Sequence, residues 1–92
     1  MRERALEQRL TRGVQALGGI CLKLVSPGRT GVPDRLIQLP DGRVIFAELK
    51  TETGRLAKIQ AYQIAELRRR GADVRVLKGE ADVDAFLAEV HG

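Results

Sequence analysis

The stretch RTGVPDRLIQLPDGRVIFAELK, residues 29–50, sets two apolar runs on either side of a short polar turn. Pro40-Asp41-Gly42 suits a three-residue hairpin loop, with proline and aspartate in a type I turn and glycine in the left-handed position that follows. RLIQL (35–39) and RVIFAEL (43–49) then read as antiparallel strands. A loop of that length sets Leu39 opposite Arg43, and the same register sets Asp34 opposite Glu48. Two carboxylates so placed have Cβ atoms ~5 Å apart. Strand alternation sends Glu48 and Lys50 to one face, ~7 Å apart along the chain.

An ionised carboxylate in a run as apolar as VIFAEL is unfavourable unless something compensates it. Two facing carboxylates make the problem worse, because one of them would ordinarily protonate. A bound divalent cation removes the conflict, and hard cations such as Mg²⁺ prefer oxygen ligands of this kind. A carboxylate pair with a nearby ammonium is the set used in metal-assisted phosphodiester hydrolysis. The competing interpretation is a plain Glu48–Lys50 ion pair at a strand end. A register slip of one residue would also send Asp34 to the opposite face.

Outward from this stretch, residues 2–17 place Leu6, Leu10, Val14 and Leu17 on one helical stripe that ends at Gly18-Gly19. ICLKLV (20–25) is a strand, and SPGRTGVP is a loop in which the proline holds Val32 extended. Leu56, Ile59, Ile64 and Leu67 have helical spacing up to about Arg70, and Gly71 closes that helix. DVRVLK (73–78) is a further strand. Val83, Phe86, Leu87 and Val90 mark a last helix. The order is αβββαβα, an α/β fold with a mixed central sheet flanked by helices. The length, 92 residues, suits a single domain spanning residues 1–92.

Sixteen Lys and Arg against twelve Asp and Glu leave a net charge of +4, a balance that suits a polyanionic partner. Cys21 is the only cysteine, which excludes an internal disulfide and points to a buried, reduced thiol in a cytosolic protein. No apolar run approaches the ~20 residues of a bilayer-spanning helix, and MRERALEQRL is too charged for a signal peptide. A cytoplasmic location, in a bacterial or phage-infected cell, is the expectation, with no membrane partner. His91 has no histidine or cysteine companions, so zinc sites and histidine-metal nuclease motifs are excluded. Phe46, Tyr62 and Phe86 are too few and too scattered to form a base-stacking platform. Arg68-Arg69-Arg70 ends a helix, where cations suit the dipole.

Gly31-Val32-Pro33-Asp34, followed after the hairpin by Glu48-Leu49-Lys50, resembles the PD-(D/E)XK nuclease signature. LEQRL in the first helix, LGG, the lysine of CLKL, SPGRTGVPD, the ELK strand and Gln60 together resemble the VRR-NUC family in its short stand-alone form. The resemblance implies a PD-(D/E)XK nuclease-like fold and a metal-dependent DNA endonuclease, similar to Holliday-junction resolvases and acting as a homodimer on branched DNA or four-way junctions. It implies that Asp34 and Glu48, joined by the backbone carbonyl of Leu49, bind Mg²⁺ or Mn²⁺. It also makes Lys50 the catalytic lysine and assigns catalytic positions to Glu7 and Gln60.

The helix pattern also puts Gln60 in the middle of an apolar stripe, where its amide needs a partner, with the Lys50 end of the neighbouring strand as a candidate. Glu3 lies on the same stripe as Glu7, and spacing alone does not separate them. Lys23, Arg29 and Arg35 flank the proposed site and are candidate DNA-backbone contacts. The alternative function is a non-catalytic nucleic-acid-binding module on the same fold.

Overall fold

The hairpin forms around the expected turn. Leu39 N–H donates to the Arg43 carbonyl (2.9 Å) and Gly42 N–H to the Leu39 carbonyl (3.0 Å), while Gly42 takes φ = 96°. The Asp41 carboxylate accepts from Arg43 N–H (3.0 Å), tying the turn to the strand that follows. The computed structural model describes residues 1–91.

Three helices and four strands follow in the expected order: α1 (Glu3–Ala16), β1 (Ile20–Lys23), β2 (Arg35–Gln38), β3 (Val44–Lys50), α2 (Lys58–Arg69), β4 (Asp73–Lys78) and α3 (Gly79–Val90). The sheet order is β1-β2-β3-β4, with β1, β2 and β3 antiparallel and β4 parallel to β3. Only β4 needs a crossover, and α2 supplies it. Two boundaries differ from the sequence reading by two residues. β1 ends at Lys23 rather than residue 25, although Leu24 N–H still donates to the Asp34 carbonyl (2.8 Å). The second helix begins at Lys58 rather than Leu56, because Gln60 turns back and its Oε1 accepts from Ala57 N–H (2.9 Å). That bond is one half of a capping box, and alanine cannot provide the other half.

The two faces of the sheet are treated differently. Inward-facing Ile37 of β2 and Leu39 just after it, Ile45, Ala47 and Leu49 of β3, and Leu77 of β4 pack against Leu6, Leu10 and Val14 of α1 and Val83, Phe86 and Val90 of α3. That layer is the core. On the other face α2 covers β4, burying Ile64 and Val74. Over β1 to β3 the outer face carries Ile20, Leu22 and Val44 largely exposed, with Leu36 and Phe46 half-buried. Ile59, expected on the buried stripe of its helix, is exposed, and Gln63 is buried instead. A helix standing over the last strand alone buries a narrower stripe than one centred on the sheet. Among the described residues, no helix is long and apolar enough to cross a membrane.

Candidate active site

β2 and β3 pair with Arg35 opposite Ala47 and Ile37 opposite Ile45. This is the register predicted from the turn, and it brings Asp34, one residue before β2, alongside Glu48. The Asp34 carbonyl is held twice, by Leu24 N–H and by the Arg35 guanidinium (3.2 Å). The GVPD segment is seated against α2 as well. Gly31 has φ = 90°, and a Cβ there would lie 2.9 Å from the Ile59 carbonyl oxygen, so only glycine lets this loop lie so close to the helix backbone.

Glu48 is 4% exposed and is held from two sides. Lys50 Nζ lies 3.7 Å from Glu48 Oε2, and Gln60 Nε2 donates to the same oxygen at 3.2 Å. Gln60 thus links Glu48 to the first turn of α2 through its second bond to Ala57. Its partner on β3 is Glu48, at the Lys50 end of the strand that the helix pattern proposes. The two residues share one face of the strand. Burial raises the Glu48 carboxyl above the usual carboxylate range, and the charge of Asp34 adds to the shift while Lys50 opposes it. Asp34 is raised in the same way, by burial first and then by Glu7 and Glu3, against the pull of Arg35. Its Oδ1 is buried and has no hydrogen-bond partner among the described residues.

The first helix contributes two acids. Carboxylate oxygens of Glu3, Glu7 and Asp34 all lie within 4.8 Å of one another. Residues four apart on a helix point the same way, so both glutamates reach Asp34 from the start of α1. The choice between Glu3 and Glu7 left by the sequence therefore ends with both beside Asp34. Glu48 stands outside that trio, engaged by Lys50 and Gln60, and Asp34 joins the two groups. Leu49 buries its side chain in the core and carries its backbone between Glu48 and Lys50.

The flanking cations separate into two kinds. Arg35 is 6% exposed, and its Nη2 sits 3.0 Å from Glu7 Oε1. It points inward with Ile37 and Leu39, so its guanidinium is turned to Glu7 and the Asp34 carbonyl. The alternation of 35, 37 and 39 signalled this placement. Lys23, its neighbour on β1, is exposed, as is Arg29 in the loop.

Comparison with known proteins agrees with this geometry. The VRR-NUC domain model matches residues 3–81, from the first acid of α1 to the start of α3. The chain belongs to the VRR-NUC family. A solved VRR-NUC domain superposes with a TM-score of 0.89 at 32% identity, with 96% of each chain covered. A protein of Acyrthosiphon pisum secondary endosymbiont phage 1, named "Putative nuclease p44", is 41% identical over 91 residues, covering 99% of this chain and 97% of that one. The VRR-NUC match and the relative's name support nuclease function, with nucleic acid as the substrate class.

A divalent cation fits the donor set. Oxygens of Glu3, Glu7 and Asp34 lie within 4.8 Å of one another, Asp34 keeps one buried and unpartnered carboxylate oxygen, and the charge of Asp34 is felt by Glu48 in turn. Hard oxygen donors in excess of local positive charge are the chemistry of a Mg²⁺ or Mn²⁺ site.

Proposed function

We propose that this chain is a Mg²⁺- or Mn²⁺-dependent endodeoxyribonuclease that selects DNA by structure and acts on branched DNA in the manner of a Holliday-junction resolvase. The observation that carries the reading is the placement of Asp34. Its buried Oδ1 has no hydrogen-bond partner among the described residues, its carboxylate lies within 4.8 Å of those of Glu3 and Glu7, and burial raises its pKa, so a cation would offset the cost of the charged form there.

Asp34 and Glu48, with the Leu49 carbonyl, would hold the ion, and Glu7 or Glu3 would complete the cluster from α1. A bound divalent cation supplies polarisation of the phosphodiester and a lower pKa for the attacking water. Lys50 is the cationic side chain on the Glu48 face, so it is placed to orient the nucleophile and to offset negative charge as it develops on the phosphate. Gln60 fixes the orientation of Glu48 by binding one of its oxygens and anchoring itself to the helix start. Arg35 does the same for Glu7.

A homodimer is part of the reading. A four-way junction offers two symmetry-related cleavage points, and a two-fold pair supplies two sites. The exposed apolar face formed by Ile20, Leu22 and Val44 beside half-buried Phe46 is the candidate contact surface.

The test is incubation of synthetic four-way junctions with the protein and Mn²⁺ or Mg²⁺, alongside Lys50→Ala and Asp34→Asn. Cutting that depends on the metal and disappears in both variants is expected. Binding with no cutting by the wild-type protein would leave the non-catalytic binding module in its place. Sedimentation of the free protein checks the dimer, and a monomer at all concentrations would remove that part.

A further inference from the structure

The polar face of α1 carries a cationic groove that borders the acid cluster at Glu7. Arg4, Gln8 and Arg12 follow one another at four-residue intervals, and with Thr11, Gln15, Glu7 and Arg35 they line a groove of about 400 Å³. The only carboxylate in that lining is Glu7, and its charge faces the Arg35 guanidinium at 3.0 Å. Among the described residues, Arg4 and Arg12 make no ion pair, and neither does exposed Lys23, which stands beside Arg35 on β1. By contrast Arg9, on the opposite side of the same helix, is taken up by Asp84 (2.7 Å) and Glu80 (3.0 Å).

We infer that the Arg4–Arg12 groove is the track for one DNA strand, leading its phosphates along α1 to the acids around Asp34. This extends the nuclease reading and rests on it. Arg4 and Arg12 lie eight residues apart, or ~12 Å along the helix axis. At ~3.4 Å of duplex axis per phosphate on each strand, that span covers about three phosphates. Guanidiniums at both ends with amide and hydroxyl groups between them are the donors that DNA-backbone contacts use. Glu7 is shared by the groove and the acid trio, so the track ends where the chemistry is proposed to begin.

The test measures binding to a fluorescein-labelled DNA duplex by anisotropy, in EDTA so that no cutting occurs, over a range of salt concentrations. Arg4→Ala combined with Arg12→Ala is compared with wild type and with Arg69→Ala combined with Arg70→Ala, which removes the same charge at the far end of the molecule. The groove variant is expected to weaken binding and to reduce the slope of log affinity against log salt by about 2, as loss of two phosphate contacts requires. The far-end variant keeps the wild-type slope. Equal effects from both variants would overturn the groove, since net charge alone would then explain them. An unchanged slope in the groove variant, or no binding by wild type at low salt, would overturn it as well. Junction cutting in Mn²⁺ by the wild-type protein is scored separately. If cutting is absent while the slopes differ, the nuclease reading falls and the groove stands. If cutting is present while the slopes match, the reverse holds.

Discussion

The two ends of the sheet handle charge in opposite ways. At the hairpin end, arginines are paired with acids of the same chain: Arg43 with Asp41, Arg75 with Asp73 and Glu89, and Arg69 and Arg70 with Glu66. Asp41 and Glu89 are held below the ordinary carboxylate range, Asp41 first by the Arg43 backbone N–H and Glu89 first by its hydrogen bond from Arg75. At the other end, where β3 finishes and α1 and α2 begin, Asp34 and Glu48 are raised instead. Among the described residues, Arg2, Arg4, Arg29, Arg55, Lys58 and Lys78 at that end make no ion pair. One end is electrostatically settled within the chain. The other holds acids with too little counter-charge beside cations with no acid, an arrangement of the kind that functional sites show.

The largest expected effect contrasts the two ends directly. Glu48→Gln is expected to lower metal-dependent cutting by at least about 100-fold, the scale seen when one charge-stabilising group leaves an active site. Its melting temperature should hold or rise, because burial and Asp34 already disfavour the charged form. Glu89→Gln at the hairpin end should leave cutting unchanged. Junction cleavage rates and thermal melts measure both. A Glu48→Gln protein that fails to fold would show that this carboxylate supports the structure and would break the contrast.

The contrast also explains what the sequence could and could not reveal. The register was legible because Pro40-Asp41-Gly42 admits few turn geometries, and a turn fixes every pair on the strands behind it. That reasoning needs no tertiary information, and it reached Asp34 and Glu48. The helix pattern sets Gln60 against the Lys50 end of β3, but it gives the face of a side chain and not its height on the neighbouring strand, so it does not single out Glu48. Arg35 alternates with Ile37 and Leu39, which marks it as inward, but nothing local in the sequence names the acid that faces it. Burial of Arg35 depends on Glu7, which arrives from α1, 28 residues earlier in the chain. Glu3 and Glu7 could not be separated in one dimension because they occupy the same face of α1.

The Arg35–Glu7 pair supplies the next test. Glu7→Ala leaves a guanidinium that is nearly buried with only the Asp34 carbonyl to bind, and is expected to lower stability by about 1–3 kcal/mol. Adding Arg35→Met should recover part of that loss, since the stranded charge is removed along with its partner. Urea unfolding of the single and double variants measures this. A double variant less stable than Glu7→Ala would mean that Arg35 is held by more than Glu7.

Two of the left-handed glycines, Gly42 and Gly31, make a smaller pair. Gly42 at the hairpin end has open space around its missing Cβ, so Gly42→Ala should lose only the backbone term, about 1–2 kcal/mol. Gly31 at the site end has a similar φ, but its added methyl would meet the Ile59 carbonyl as well. Gly31→Ala should therefore lower stability more than Gly42→Ala, and it alone should slow cutting, by pushing GVPD away from α2. Equal stability losses with cutting intact would show that the loop shifts without disturbing Asp34.

Acid titration should give the smallest effect, with opposite signs at the two ends. A carboxyl whose folded pKa is raised destabilises the fold above that pKa, and the penalty is relieved as pH falls through it. Asp34 and Glu48 therefore predict that the metal-free protein gains stability as pH falls from neutrality toward the upper edge of the carboxylate range. A carboxyl whose folded pKa is lowered contributes stability above its unfolded pKa, and that contribution is lost as pH falls through the folded value. Asp41 and Glu89 predict that loss at more acidic pH. Melting temperature in EDTA should thus rise slightly, pass through a mildly acidic maximum and then fall. Asp34→Asn should remove part of the rise while leaving the acid fall, and Asp41→Asn should soften the fall while leaving the rise. A wild-type profile that only declines from neutral pH would show that the site acids are already relieved in the free protein. Addition of Mn²⁺ at neutral pH should stabilise the wild type more than Asp34→Asn, because ion binding relieves the same repulsion that protonation does.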